Sequence, residues 1–216
     1  MAGGVPDDHG GSGEGERVDR AGERRPMKLV VAVTGASGSI YAQRLLAELA
    51  KAKEVEECHV VLSAYAKQVA ATELGSNGLA IPKKIKVHGD KTMEVPFVSG
   101  SAPFQTMVIV PCSMGTLGRI AHGYSDSTIT RAADVFLKER RKLILVPRET
   151  PWNLVQARNV VTLLEAGATV IPAVPSFYGK PKTVEQVADT VVARILDHLG
   201  IRNDLVKRWK TPLAGD

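Results

Sequence analysis

Residues 130–151, TRAADVFLKERRKLILVPRETP, decide the fold. They read as a helix closing in cations, a short apolar strand from Leu143 to Val146, and a loop that delivers Arg148 and Glu149 at the strand's carboxyl end. Open α/β sheets bind their ligands at that end. Lys138 and Arg148 are cations of the kind that neutralise phosphate oxygens, the guanidinium through paired hydrogen bonds and the ammonium as a point charge. Glu149 beside them is placed to move a proton. Arg140, Arg141 and Lys142 read instead as a solvated helix end complementing the helix dipole. Arg148 and Glu149, set between Pro147 and Pro151 after an apolar strand, serve no helix end.

The same alternation extends both ways. The β-branched run 28–34 ends at Gly35 as a buried parallel strand, and further strands are expected at 58–62, 106–111, 143–146 and 168–171, with a weaker one near 85–87. Helices are expected at 39–52, 64–74, 127–139, 152–166 and 184–199. Thr150 before Pro151 reads as an N-cap followed by the first helical residue, and Thr183 with Gln186 as a capping box. Strand and helix in turn imply one α/β domain: a doubly wound, mostly parallel, Rossmann-like sheet with right-handed crossovers over residues 27–216. Residues 1–26 are Gly-rich, lack an apolar run and carry six acids against four bases, which reads as a disordered N-terminal extension.

The 216 residues carry 28 bases and 23 acids, so setting the extension aside leaves residues 27–216 near +7. The bases are scattered and aromatics amount to 5%, so stacking platforms for nucleic acid are not evident and small anionic ligands account for the charge. No run of 18 apolar residues suggests a membrane span. Cys58 and Cys112 have no metal-ligand spacing around them and read as reduced thiols, which points to the cytoplasm.

Three strand-to-loop junctions carry chemistry. Thr34-Gly35-Ala36-Ser37-Gly38 joins the first strand to the first helix, with amides and the Ser37 hydroxyl as anion donors. It is not the full GxGxxG fingerprint, and the second strand ends at Ser63 where a dinucleotide site would place an acid. A mononucleotide such as FMN is therefore favoured over NAD. Val110 to Leu117 is a loop of small and hydroxyl residues suited to a flat ring or ribityl chain, with Cys112 as a small buried hydrophobe and His122 on a helix surface. Pro172 to Pro181 carries Tyr178, and Arg194 lies on the last helix among Val191, Val192, Ile195 and Leu196. If that guanidinium is buried it needs an anion partner.

Together GASGSIYA (35–42), PCSMGTL (111–117), residues 130–151, PSFYGKP (175–181) and VVARIL (191–196) resemble the flavin prenyltransferases, the UbiX family, in order from Met27 to about Trp209. The resemblance implies metal-free transfer of a dimethylallyl group from dimethylallyl monophosphate to N5 and C6 of reduced FMN, the product serving a UbiD-type decarboxylase. It implies FMN contacts at Gly35, Ala36, Ser37, Ser63, Ser113, Met114, Gly115, Thr116 and Arg148. The prenyl phosphate would fall to Ser37, Arg131, Lys138, Glu149, Tyr178 and Arg194, with Glu73 a further acid near the flavin. Relatives suggest a dodecamer in which Tyr178 and Arg194 reach the phosphate from a neighbouring subunit, while Lys138 and Glu149 come from the middle of the sheet. Where some relatives place Trp before a Ser-Gly-Ser loop, this chain has Met93 or Glu94.

The nearest rival class is the flavin-dependent cysteine decarboxylases, which carry Pro-x-Met-Asn where this chain has Pro147-Arg148-Glu149-Thr150. A non-catalytic FMN-binding protein is the other alternative.

Overall fold

The computed structural model describes residues 26–207. Six strands form one all-parallel sheet in the order β3-β2-β1-β4-β5-β6. They are β1 (Met27–Val33), β2 (Val55–Leu62), β3 (Lys86–Gly89), β4 (Thr106–Cys112), β5 (Lys142–Pro147) and β6 (Thr169–Val170). The helices are α1 (Ser39–Lys51), α2 (Ala64–Leu74), α3 (Met114–Ala121), α4 (Thr128–Lys138), α5 (Leu154–Glu165) and α6 (Val184–Leu199). A single 3-10 turn covers Pro96–Val98.

The sheet is covered on both faces because residues 29–33, 107–112 and 143–147 of the central strands are unbroken apolar runs, so alternate residues feed opposite cores. Leu29, Val31 and Val33 pack with α1 and α6, while Val30 and Ala32 pack with α3, α4 and Phe97. Arg44 on α1 crosses to the buried Asp189 on α6 through two hydrogen bonds of 2.7 and 2.8 Å. Helix α5 is thinly held. Only Val160 and Leu163 are buried, whereas Leu154, Val155, Val161 and Leu164 are each more than half exposed.

Four local expectations change. The loop expected after Cys112 contains α3, whose Ser113 cap accepts from the Thr116 amide and whose Leu117 and Ile120 pack inward one turn apart. Helix α5 starts at Leu154 instead of Pro151. Asn153 and Gln156 exchange side-chain-to-backbone bonds of 2.9 and 3.0 Å, a reciprocal cap that satisfies two backbone donors where Thr150 ahead of Pro151 would offer one hydroxyl acceptor. At α6 the Thr183 hydroxyl caps the Gln186 amide, but the Gln186 side chain reaches back to the Lys182 amide, one residue before the cap. Arg141 is not a solvated helix end: its guanidinium lies 5.9 Å from the Phe136 ring centroid and donates to the Gly100 carbonyl. The expected disorder of residues 1–26 falls, but for Pro26, outside the described residues.

Candidate functional site

Strand order reverses direction between β1 and β4, which places the crevice of the sheet over their carboxyl ends. The loops after both strands are laced together there. Thr34 Oγ1 donates to the Pro111 carbonyl at 2.8 Å and accepts from the Ser113 amide at 2.7 Å. The Arg148 amide donates to the Cys112 carbonyl at 3.2 Å, and Arg148 Nε donates to the Ser37 carbonyl at 3.0 Å. Arg148 is thereby aimed across the switch point onto the glycine loop.

Gly38 caps α1 with φ of 111°, a left-handed conformation that costs glycine little, and it has no side chain with which to satisfy the first amides. Glu73, on the last turn of α2, does this from a distance. Its carboxylate accepts from the Gly38 amide at 3.0 Å and the Ser39 amide at 2.7 Å. The anion expected at this helix N-terminus is thus a carboxylate of the chain itself, favoured by the dipole. Burial works to raise the Glu73 carboxyl, but the Ser37 hydroxyl with the Ser39 and Gly38 amides outweighs it and holds the group below the usual carboxylate value. Gly35 and Ala36 complete the turn, with Ala36 buried. Tyr41 borders it beside Arg148, its phenol raised by burial against a smaller lowering by that guanidinium.

Ser63 and Ser113 occupy equivalent places after β2 and β4. Each caps the helix that follows, Ser63 accepting from the Ala66 amide at 3.0 Å and Ser113 from the Thr116 amide at 3.3 Å. Ser113 Oγ also donates to Thr116 Oγ1 at 3.1 Å, and Arg119 Nη2 donates to the same hydroxyl at 3.3 Å. Sequence reasoning missed Arg119, which a helix expected over 114–121 would have placed one turn from Thr116. Met114 and Gly115 form the first turn of α3, where amides have no partner inside the helix. Cys112 is fully buried and its thiol is pushed up to about 12 by that burial, so it is no nucleophile. Exposed Glu149 follows Arg148; its Oε1 accepts from the Thr150 amide at 3.2 Å and its carbonyl from Trp152 Nε1 at 3.0 Å.

The four other residues expected at the phosphate are found in these settings within one chain. Lys138 and Glu149 do not come together from the middle of the sheet: Lys138 ends α4 before β5 begins, and Glu149 follows the strand's far end. The six residues of β5 span roughly 20 Å. Lys138 pairs with Glu139 at 2.8 Å beside Gly100, where a Cβ would collide with the Glu139 carboxylate. Arg131 pairs with Asp134 at 3.0 Å. Arg194 is exposed, paired with Asp197 at 3.0 Å, and shares with the exposed Tyr178 a cleft of about 650 Å³ that Lys180, Lys182 and Lys207 also line. Met93 is half exposed on a segment tied to the start of α4, where Thr128 Oγ1 donates to the Thr92 carbonyl.

A family model described as Flavoprotein matches residues 18–196. The flavin prenyltransferase UbiX of Methanocaldococcus jannaschii is 46% identical over 186 residues, 86% of this chain and 100% of that protein. That of Thermoplasma acidophilum is 45% identical over 85% of this chain and all of its own length. This chain belongs to the flavin prenyltransferase (UbiX) family. Among solved structures, a UbiX protein in complex with FMN and dimethylallyl pyrophosphate superposes with a TM-score of 0.79 at 38% identity, covering 88% of this chain and all of the other. A dodecameric FMN-dependent UbiX-like decarboxylase from Escherichia coli O157:H7 gives 0.79 at 37% identity, covering 86% of this chain and all of the other. The UbiX fold extends more thinly to an FMN-dependent cysteine decarboxylase, TM-score 0.52 at 23% identity over 67% of this chain and 88% of that one.

Proposed function

We propose that this flavin prenyltransferase transfers the dimethylallyl group of dimethylallyl phosphate to N5 and C6 of reduced FMN, with inorganic phosphate as leaving group. One observation carries the reading: Ser37, Glu73 and Arg148 converge at the β1/β4 switch point in a chain of this family, with Glu149 next along the chain from Arg148. Reduced FMN is the acceptor substrate. The free amides of Met114 and Gly115, the hydroxyls of Ser63, Ser113 and Thr116, and the turn Gly35-Ala36-Ser37 would receive it, with Arg148 over its anionic edge. As the allylic C–O bond breaks, charge grows on phosphate, so preplaced cations stabilise that transition state more than the ground state. Glu149 would carry the proton.

Within one chain the length of β5 lies between Lys138 and Glu149. Holding the prenyl phosphate with Lys138 and Arg131 of α4 and with Tyr178 and Arg194 of the α6 cleft would therefore join neighbouring subunits, and the dodecameric relative supports a dodecamer here. Enclosure between chains strips water from the phosphate and strengthens each cation. A UbiD-type decarboxylase would consume the product. No described helix is long and apolar enough to cross a membrane, and the unpaired Cys58 and Cys112 fit a cytoplasmic setting.

The test is anaerobic incubation with reduced FMN and dimethylallyl phosphate, followed by the mass of the extracted flavin. A gain of one C5H8 unit is expected; unmodified flavin retained by the protein would instead favour an FMN-binding role.

A further inference from the structure

A chain of polar groups crosses the β1-β2-β3 edge of the sheet, from the exposed Lys86 and Glu56 to the buried His59. Lys86 Nζ and Lys28 Nζ lie 2.6 and 3.2 Å from the Glu57 carboxylate, with Glu56 3.3 Å from Lys28. Glu57 Oε1 lies 2.9 Å from His59 Nε2, and His59 Nδ1 lies 2.9 Å from His88 Nε2. The two rings stack at 4.9 Å. Phe97 stands edge-on to both, and Phe104 to His59, in a pocket where His59 is 3% exposed.

This pair packs on Phe97 of the 3-10 turn, which in turn contacts α4. Strand β3 is a four-residue edge strand, and the residues after it cap the helix: the Thr128 and Ile129 amides donate to the Asp90 carbonyl and Oδ1 at 3.0 and 2.9 Å. At the other end of α4, the segment that starts at Phe97 runs through Gly100, which meets Arg141 and adjoins Lys138. Both ends of the helix thus lean on residues whose placement follows from the imidazole pair. We propose that His59 and His88 are positioning residues for α4, and that their ring-to-ring hydrogen bond holds the helix carrying Arg131 and Lys138. This rests on the reading in which those cations bind the prenyl phosphate.

The proton inventory follows from the carboxylate. Glu57 accepts, so His59 Nε2 carries hydrogen and neutral His59 offers a lone pair at Nδ1 to the N–H of His88 Nε2. A proton taken up by His88 leaves that bond in place but sets a charge into a partly buried ring pair, which burial disfavours. Burial lowers His88 below its ordinary value, and the neighbouring His59 and Lys86 add to this. The Glu57 carboxyl is held at about 2, first by its bond to His59 and then by Lys86, so it stays ionised throughout. The segment Phe97–Phe104 contributes no ionisable side chain. Because the folded His88 value is depressed, its stabilising contribution is present above about pH 6.5 and is lost as pH falls below it.

The test compares wild type with His88→Gln, whose amide still donates to His59 but does not titrate, and with His88→Phe, which keeps ring packing without the bond. His88→Phe should raise the KM for dimethylallyl phosphate roughly tenfold, the scale of one lost buried hydrogen bond, with FMN affinity unchanged. His88→Gln should restore that KM and move the acid limb of the rate profile to lower pH. Hydrogen exchange at the Ile129 amide should accelerate in His88→Phe and, on acidification, in wild type. An unaltered KM and unaltered Ile129 exchange in His88→Phe, or an unmoved acid limb in His88→Gln, overturns the proposal. If wild type makes no prenylated flavin at any pH, the functional reading fails instead, and Ile129 exchange alone decides whether the pair holds α4.

Discussion

Glu73 and Glu149 are two carboxylates in opposite circumstances. Glu73 is clasped by two amides and a hydroxyl at a helix N-terminus, while Glu149 reaches into solvent with a single bond to the next amide. A carboxylate with fixed donors serves as a standing charge, and one with few partners is free to exchange a proton. Glu149→Gln is therefore expected to retain FMN yet lower the yield of prenylated flavin by roughly 10², the scale of a positioned acid or base, in anaerobic single-turnover assays. Glu73→Gln should cost about 1 kcal/mol at neutral pH through the lost charge–dipole interaction. Since the folded Glu73 carboxyl is lowered, the unfolded chain takes up the proton first as pH falls. The advantage of wild type over Glu73→Gln should thus be complete above pH 4.5 and disappear below it, which thermal melts across pH 3–7 would follow.

At the scale of elements, α3 shows what a sequence withholds. The strands β1, β4 and β5 were legible because both-face burial demands unbroken apolar runs, and α6 because its stripe is long. Eight residues containing Gly115 and Gly118 give too weak a helical period to separate from a loop, although Ser113 and Thr116 stand at cap spacing. That Ser37, Ser63, Ser113 and Arg148 share one edge of the sheet was legible because parallel strands put all their following loops there. The separation of Lys138 from Glu149 was not, since adjacency in sequence hides that a whole strand lies between them. Ser113→Ala tests the reading of α3: loss of the cap should cost about 1 kcal/mol and weaken FMN binding, measured by melting and by calorimetry.

For the whole molecule, the distance across the sheet becomes a statement about assembly. Lys138→Ala and Glu149→Gln oligomers should each be nearly inactive. Co-expressed mixtures should recover activity, because about a quarter of randomly mixed two-chain junctions would join an intact Lys138 to an intact Glu149. Mixtures verified by mass spectrometry that stay inactive would return both residues to one chain. The outer side of α5 bears on the same scale. Leu154, Val155, Val161 and Leu164 face water in a lone chain, on a helix anchored by two buried side chains. Where neighbouring copies cover such a surface, each association event stabilises the fold by mass action, so the melting temperature becomes a function of protomer concentration. A dilute sample would then melt earlier than a concentrated one, and the working stability of the enzyme would belong to the amount of it present as much as to any bond within it.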